Sequence, residues 1–163
     1  MLIIAIIFLL YVNISQYLLG QTVLAVVKGA SMEPLLRDQN VVVLTLPVRI
    51  DLGDIIVFRN DYGELVVHRV IAIVYCDDGR TLYVTKGDNN IQADVWIPGI
   101  AGKTAATCRA RYVDILPNYQ NRILVTSEGL LKGIAPDRIV GKVLEVGNLP
   151  IKIVGLGVFT SSG

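Results

Sequence analysis

At 163 residues and 17.8 kDa the chain has room for one domain with a genuine core and not for two. A formal charge of +1 and a pI near 7.7 leave out the basic footprint of a nucleic-acid binder. Charged residues are 18 % of the total and the mean hydropathy is +0.57, high for a soluble protein, with much of the excess gathered at the N-terminus.

Residues 1–20, MLIIAIIFLLYVNISQYLLG, carry no charged side chain. A helix of about 19 residues is roughly 28 Å long, just enough to cross a hydrocarbon core. No basic stretch precedes the apolar run and no A-x-A-like site follows it, which reads as a retained membrane anchor rather than a cleaved leader. Its orientation is poorly encoded, because the first basic side chain is Lys28.

Beyond the anchor the pattern turns to short Val- and Ile-rich runs: 22–27, 41–46, 54–59, 65–74, 81–85, 122–126, 139–146 and 151–154. Turn residues such as Asn60-Asp61-Tyr62-Gly63 and Asp77-Asp78-Gly79 separate most of them, and no helical period appears after residue 20. The expectation is a mostly-β domain over 21–163. Residues 95–121 are the least regular part and read as an inserted excursion or flexible loop, with one short strand around 109–116. The apolar stretch 153–159 near the C-terminus is too short for a second span.

Asp78-Gly79 is a two-residue hairpin signal that pairs Asp77 with Arg80. Partners then sum to about 157, which sets His68 opposite Asn89 and Arg69 opposite Asp88, within a residue or two. The segment TKGDNN thus runs beside the strand that carries the chain's one histidine.

Ser31, in GASMEP, has no base in its own neighbourhood, and a serine hydroxyl becomes a nucleophile only when a base takes its proton. By residue type and local context alone Ser31 reads as a turn serine and His68 as a half-buried strand histidine bonded to a backbone carbonyl. Asp88 and Asp94 are each able to orient the imidazole or to serve as turn and loop carboxylates, while Asp54 reads as turn chemistry. Lys86 offers a different base if it is desolvated enough to be neutral. Cys76 and Cys108 follow no metal spacing; they form a disulfide in an extracytoplasmic domain or are small core residues otherwise.

Taken in order, the apolar N-terminus, the strand TVLAVVKG, the boxes GASMEP, GDIIVFR, VVHRVI and VTKGDNN with Asp94, and the closing IVGKVL resemble the type I signal peptidase family in its archaeal and endoplasmic-reticulum branch. The resemblance implies an elaborate β fold shared with self-cleaving repressor-type peptidases, preceded by one transmembrane helix. It implies a membrane-bound serine endopeptidase that removes N-terminal signal peptides, with its catalytic domain on the extracytoplasmic side. Ser31 matches the family nucleophile, His68 the general base, Asp94 the acidic partner of the histidine branch and Asp88 a second aspartate tied to activity. Substrates would be preproteins with small residues at −3 and −1, in contact with the lipid bilayer; no metal or organic cofactor is implied, and accessory subunits are left open. The competing readings are a self-cleaving Ser-Lys peptidase using Lys86 and a non-catalytic membrane-tethered binding domain.

Overall fold

The computed structural model describes residues 2–17, 24–46, 49–122, 126, 128–147 and 149–154. Helix α1 (Leu2–Tyr17) comes first, 16 residues with Ile3, Ile4 and Leu9 among its exposed side chains. At 1.5 Å per residue it is about 24 Å long. No helix among the described residues is long and apolar enough to cross a membrane, and the remaining residues of the expected 1–20 anchor, 1 and 18–20, lie outside the described residues.

The body is β, as the alternating runs imply. Strands β1 (Leu24–Val26), β2 (Val41–Thr45), β3 (Ile55–Arg59), β4 (Leu65–Cys76) and β5 (Thr81–Lys86) follow in order. The rest are β6 (Ala106–Cys108), β7 (Ala110–Ile115), β8 (Leu131–Gly133), β9 (Ile139–Val143), β10 (Glu145–Val146), β11 (Leu149–Pro150) and β12 (Lys152–Ile153). The main sheet runs β1-β2-β9-β3-β4-β5, with β12 also on β2 and β7 also on β4, and every pairing is antiparallel. The 12-residue β4 belongs to two neighbourhoods: its first half pairs with β3 and its second lies between β5 and β7. Among the described residues that change of partner leaves one edge of residues 65–68 open.

Expected and observed strands agree closely from β2 to β5 and at β7. The expected run 139–146 is interrupted at Leu144; of the expected strand 122–126, residues 123–125 lie outside the described residues, and Arg122 ends a 3-10 turn that begins at Pro117. Strands β6, β8 and β11 went unread, since two or three residues are too few to display a period.

The β4–β5 connection differs from the expected two-residue turn. Gly79 takes φ +85° and closes a three-residue loop in which Cys76 N–H donates to Arg80 C=O at 2.9 Å. A left-handed third residue is what such loops require. Register is therefore Ile73↔Tyr83 near the turn and, after a bulge between Val70 and Ala72, Arg69↔Lys86. The Asp78-Gly79 signal located the hairpin correctly and erred by one to two residues in pairing.

Three apolar clusters fill the fold. Met32, Leu36, Val42, Ile55, Val57 and Val143 form the one beneath the serine turn. Ile56, Phe58, Val70, Ile134 and Ile139 form a second, and Ile71, Val74, Leu82 and Val95 anchor a third that ends at the disulfide. Cys76 and Cys108 are joined, Cα to Cα 5.8 Å, so of the two readings of this pair the structure takes the disulfide. It ties the end of β4 to the irregular segment.

Candidate active site

Ser31 opens the turn that joins β1 to β2, and its position is fixed by its neighbours rather than by itself. Met32 and Leu36 are fully buried and Leu36 N–H donates to Met32 C=O at 2.9 Å, so the turn is pinned into the core at both ends. The loop behind it is closed by Asp38 Oδ1 accepting from Gly29 N–H and by Asn40 Oδ1 accepting from Arg37 N–H. The Met after the serine therefore works as an anchor. Ser31 itself is half-buried, with its hydroxyl turned to β4.

There it meets His68, whose Nε2 lies 3.0 Å from Ser31 Oγ. His68 is 2 % exposed and packs at a tilt against Phe58. Its Nδ1 is 2.7 Å from Oδ2 of Asp94, which is 0 % exposed. With Asp94 as a carboxylate, which has no proton to give, the tautomer that satisfies both contacts has the hydrogen on Nδ1 and leaves Nε2 to accept from the serine hydroxyl. Thr85 Oγ1 donates to the same Asp94 oxygen at 2.6 Å, while Oδ1 is buried without a hydrogen-bond partner among the described residues. The carboxylate is thus locked in orientation through one oxygen. Sequence reasoning passed over Thr85; the only signal for it was its place on the strand beside His68, two residues before the GDNN box.

Asp88 lies elsewhere. Its two oxygens accept from Arg69 Nε and NH2 at 2.8 and 2.7 Å, and Arg69 NH1 donates to Gly53 C=O at 2.7 Å. The Asp88 carboxylate strengthens the guanidinium's hold on its proton, against the opposing effect of burial. Strand alternation explains the arrangement: His68 faces the serine and Arg69 faces away. The pair sets the height of the 86–90 loop above β4. From that loop Asn89 N–H donates to Ser31 C=O at 2.8 Å and Asn89 Nδ2 to Ala30 C=O at 3.1 Å. Lys86 is 3 % exposed, and its Nζ donates to Gly87 and Asn90 carbonyls at 2.7 Å each, with Asp88 C=O at 3.4 Å. The hydroxyl of Ser31 meets His68, whereas Lys86 Nζ is turned to the carbonyls of the loop. Asp54 accepts from Asp51 N–H at 2.6 Å, the turn chemistry expected of it, and pairs with Lys142 at 2.7 Å.

A cleft of about 650 Å³ opens over these groups, with Val26, Ser31, Val67, His68, Asn90 and Ile100 among its walls. Two strand edges flank it. Val27 exchanges hydrogen bonds with the β2 side, so by alternation the backbone N–H and C=O of Val26 face the cleft. Val70 N–H donates to Asp54, so the backbone groups of Leu65 and Val67 point the other way, also toward the cleft. Among the described residues no three His, Cys, Asp or Glu side chains come together as a metal site.

A fully buried carboxylate, an imidazole and a hydroxyl stand in hydrogen-bonded series at the floor of a cleft with open strand edges, an arrangement of the kind that serine hydrolases use. The family profile described as Peptidase S24-like matches residues 10–104, more than half of the chain, and the protein belongs to that family. The chain is 32 % identical over 94 residues to the signal peptidase complex catalytic subunit SEC11 of Eremothecium gossypii, covering 56 % of each. It is 32 % identical over 90 residues to SEC11 of Yarrowia lipolytica, covering 54 % of this chain and 52 % of that one. To SEC11C of Homo sapiens it is 36 % identical over 76 residues, 44 % and 38 % of the two chains. It spans about half the length of these relatives or less. The resemblance read from the ordered boxes is borne out at this level.

Proposed function

We propose that the protein is a membrane-bound serine endopeptidase that removes N-terminal signal peptides from secreted and membrane preproteins. Ser31 is the nucleophile, His68 the general base, Asp94 its orienting partner, and Asp88 supports them from the loop. The observation that carries this reading is the series Ser31 Oγ to His68 Nε2 to Asp94 Oδ2, at 3.0 and 2.7 Å.

The chemistry follows from that series. A preprotein segment lies extended in the cleft, its backbone hydrogen-bonded to the open edges at Val26, Leu65 and Val67. His68 Nε2 takes the Ser31 proton as Oγ attacks the scissile carbonyl. The oxyanion is met by Ser31 N–H, which donates to nothing else among the described residues. The imidazolium, stabilised by Asp94, returns the proton to the leaving amine as the C–N bond breaks and the acyl-enzyme forms. Water then gives its proton to His68, attacks the ester carbonyl and releases Ser31 with the second product.

In this reading residues 1–20 anchor the protein in a bilayer and residues 21–163 are the extracytoplasmic catalytic domain, with 95–138 inserted. The Cys76–Cys108 disulfide supports an oxidising compartment. The relatives are subunits of a complex by name, which favours accessory subunits here as well. The test is cleavage of a preprotein in lipid by the wild type, Ser31→Ala and His68→Ala. Each substitution is expected to lower turnover by about 10³-fold or more with the fold retained. A Ser31→Ala protein that still cuts at the same bond would sink the proposal.

A further inference from the structure

Residues 97–104 belong to the irregular segment for which the reaction above has no use, yet they reach the cleft. Ile97 C=O accepts from the N–H groups of Ile100, Ala101 and Gly102 at 3.0 to 3.3 Å, winding the segment into a tight knot. The knot is held to the β3–β4 turn by Asp61. Its Oδ2 accepts from Gly99 and Lys103 N–H at 2.9 and 3.1 Å, and its Oδ1 from Thr104 N–H and Oγ1. Asp61 N–H donates in turn to Ile100 C=O at 3.0 Å. Tyr62 adds a wall beneath Gly99 and lies under the Lys103 ammonium. The side chain so presented is Ile100, packed on the Phe58 and Ile139 cluster together with Val66 and lining the same cleft as Glu64 and Leu65, with its carbonyl bonded to Asp61 in the turn that leads into Leu65.

We propose that Ile100, held by the Asp61 latch, is a specificity-determining residue that limits the size of a substrate side chain at the end of the cleft remote from Ser31. The inference rests on the reading of the cleft as the peptide-binding site. Leu65 precedes His68 by three residues of extended chain, about 10 Å. A substrate strand lying alongside therefore meets Ile100 three or more residues from its scissile bond. Selection there is steric, because Ile100 brings only methyl and methylene groups, and a pinned backbone keeps them from yielding to a larger side chain.

The test uses a signal-sequence peptide with Ala at −1, carrying Ala, Leu or Phe singly at each position from −2 to −6. The full-length wild type, Ile100→Ala and Asp61→Asn are compared by kcat/KM, with Tm recorded for each. Ile100→Ala is expected to raise the Phe-to-Ala ratio at least fivefold at one or two positions from −3 outward and to leave the ratio at −2 unchanged. Asp61→Asn is expected to relax the same positions in the same direction by a smaller factor, which keeps the proposal testable should Ile100→Ala fold poorly. A profile superimposable on the active wild type, or one scaled equally at all positions, overturns the inference alone. A wild type inert toward every peptide takes down the peptidase reading, and this inference with it.

Discussion

Asp94 carries one oxygen that serves both His68 and Thr85 and another with no hydrogen-bond partner among the described residues. Such a carboxylate is held by two hydrogen bonds in a buried setting, where each charge-assisted bond is worth about 1.5–3 kcal/mol. In the proposed reaction Thr85 keeps Asp94 aligned with His68 Nδ1 as the imidazolium forms. Thr85→Val retains the shape and removes the hydroxyl. It is expected to lower kcat about tenfold, equivalent to about 1.4 kcal/mol of barrier, with KM little changed, and Thr85→Ser should recover most of the loss. Steady-state kinetics on the preprotein decides the matter, and wild-type kcat in Thr85→Val would remove Thr85 from the machinery.

At the scale of elements, two loops set the site. The 86–90 loop approaches the serine turn so closely that a Cβ on Gly87 would stand 2.6 Å from Ser31 C=O and 2.8 Å from the Asn90 side chain. Backbone cannot give way there as a side-chain tip can. Gly87→Ala should therefore push the serine turn off His68 and reduce cleavage by about 10²-fold, as displacements near 1 Å do, while circular dichroism remains that of the wild type. Retention of full activity would show that the two loops are not coupled. The 97–104 knot answers to pH instead. Burial works against ionisation of Asp61, but the Thr104 hydroxyl and the N–H groups of Lys103, Gly99 and Thr104 outweigh it and hold the carboxyl down to about 2 from 3.8. A depressed carboxyl stabilises the fold fully above the unfolded value and loses that contribution as pH falls through the folded one. The Tm gap between wild type and Asp61→Asn should be constant above about pH 5 and close between roughly pH 4 and 2. A gap that widens on acidification would contradict the latch.

For the whole molecule, the disulfide is the one covalent cross-link among the described residues, and it encloses a separation of 32 residues. Closing a loop of that length removes about 3–4 kcal/mol of denatured-state entropy in the chain-entropy model. Both cysteines are buried, so Cys76→Ala with Cys108→Ala leaves a small defect in the apolar cluster as well. The pair should lose about 3–4 kcal/mol in urea unfolding, and the wild type in strong reductant should fall toward the variant. Equal stability of reduced and oxidised wild type would mean that the bridge constrains nothing. Its position between β4 and β6 also ties the irregular segment to the strand bearing His68, so that the Ile100 wall and the imidazole hang from one frame.

The amino-acid sequence by itself determined the β character, the boundaries of β2 to β5 and the ordered boxes holding Ser31, His68, Asp88 and Asp94. Strand alternation and turn chemistry are local, and they are written in neighbouring residues. Even the proximity of TKGDNN to His68 came from one glycine turn. Hairpin register set Asp88 near Arg69 and the resemblance implied Asp94 as the acidic partner, but which aspartate touches the imidazole was decided only by the tertiary structure, because it depends on which face of β4 each loop crosses. Thr85, the Asp61 latch and the place of Ile100 were illegible for the same reason. Each acts across a gap between elements, where contact depends on how the sheet folds over and not on what stands beside it in the chain.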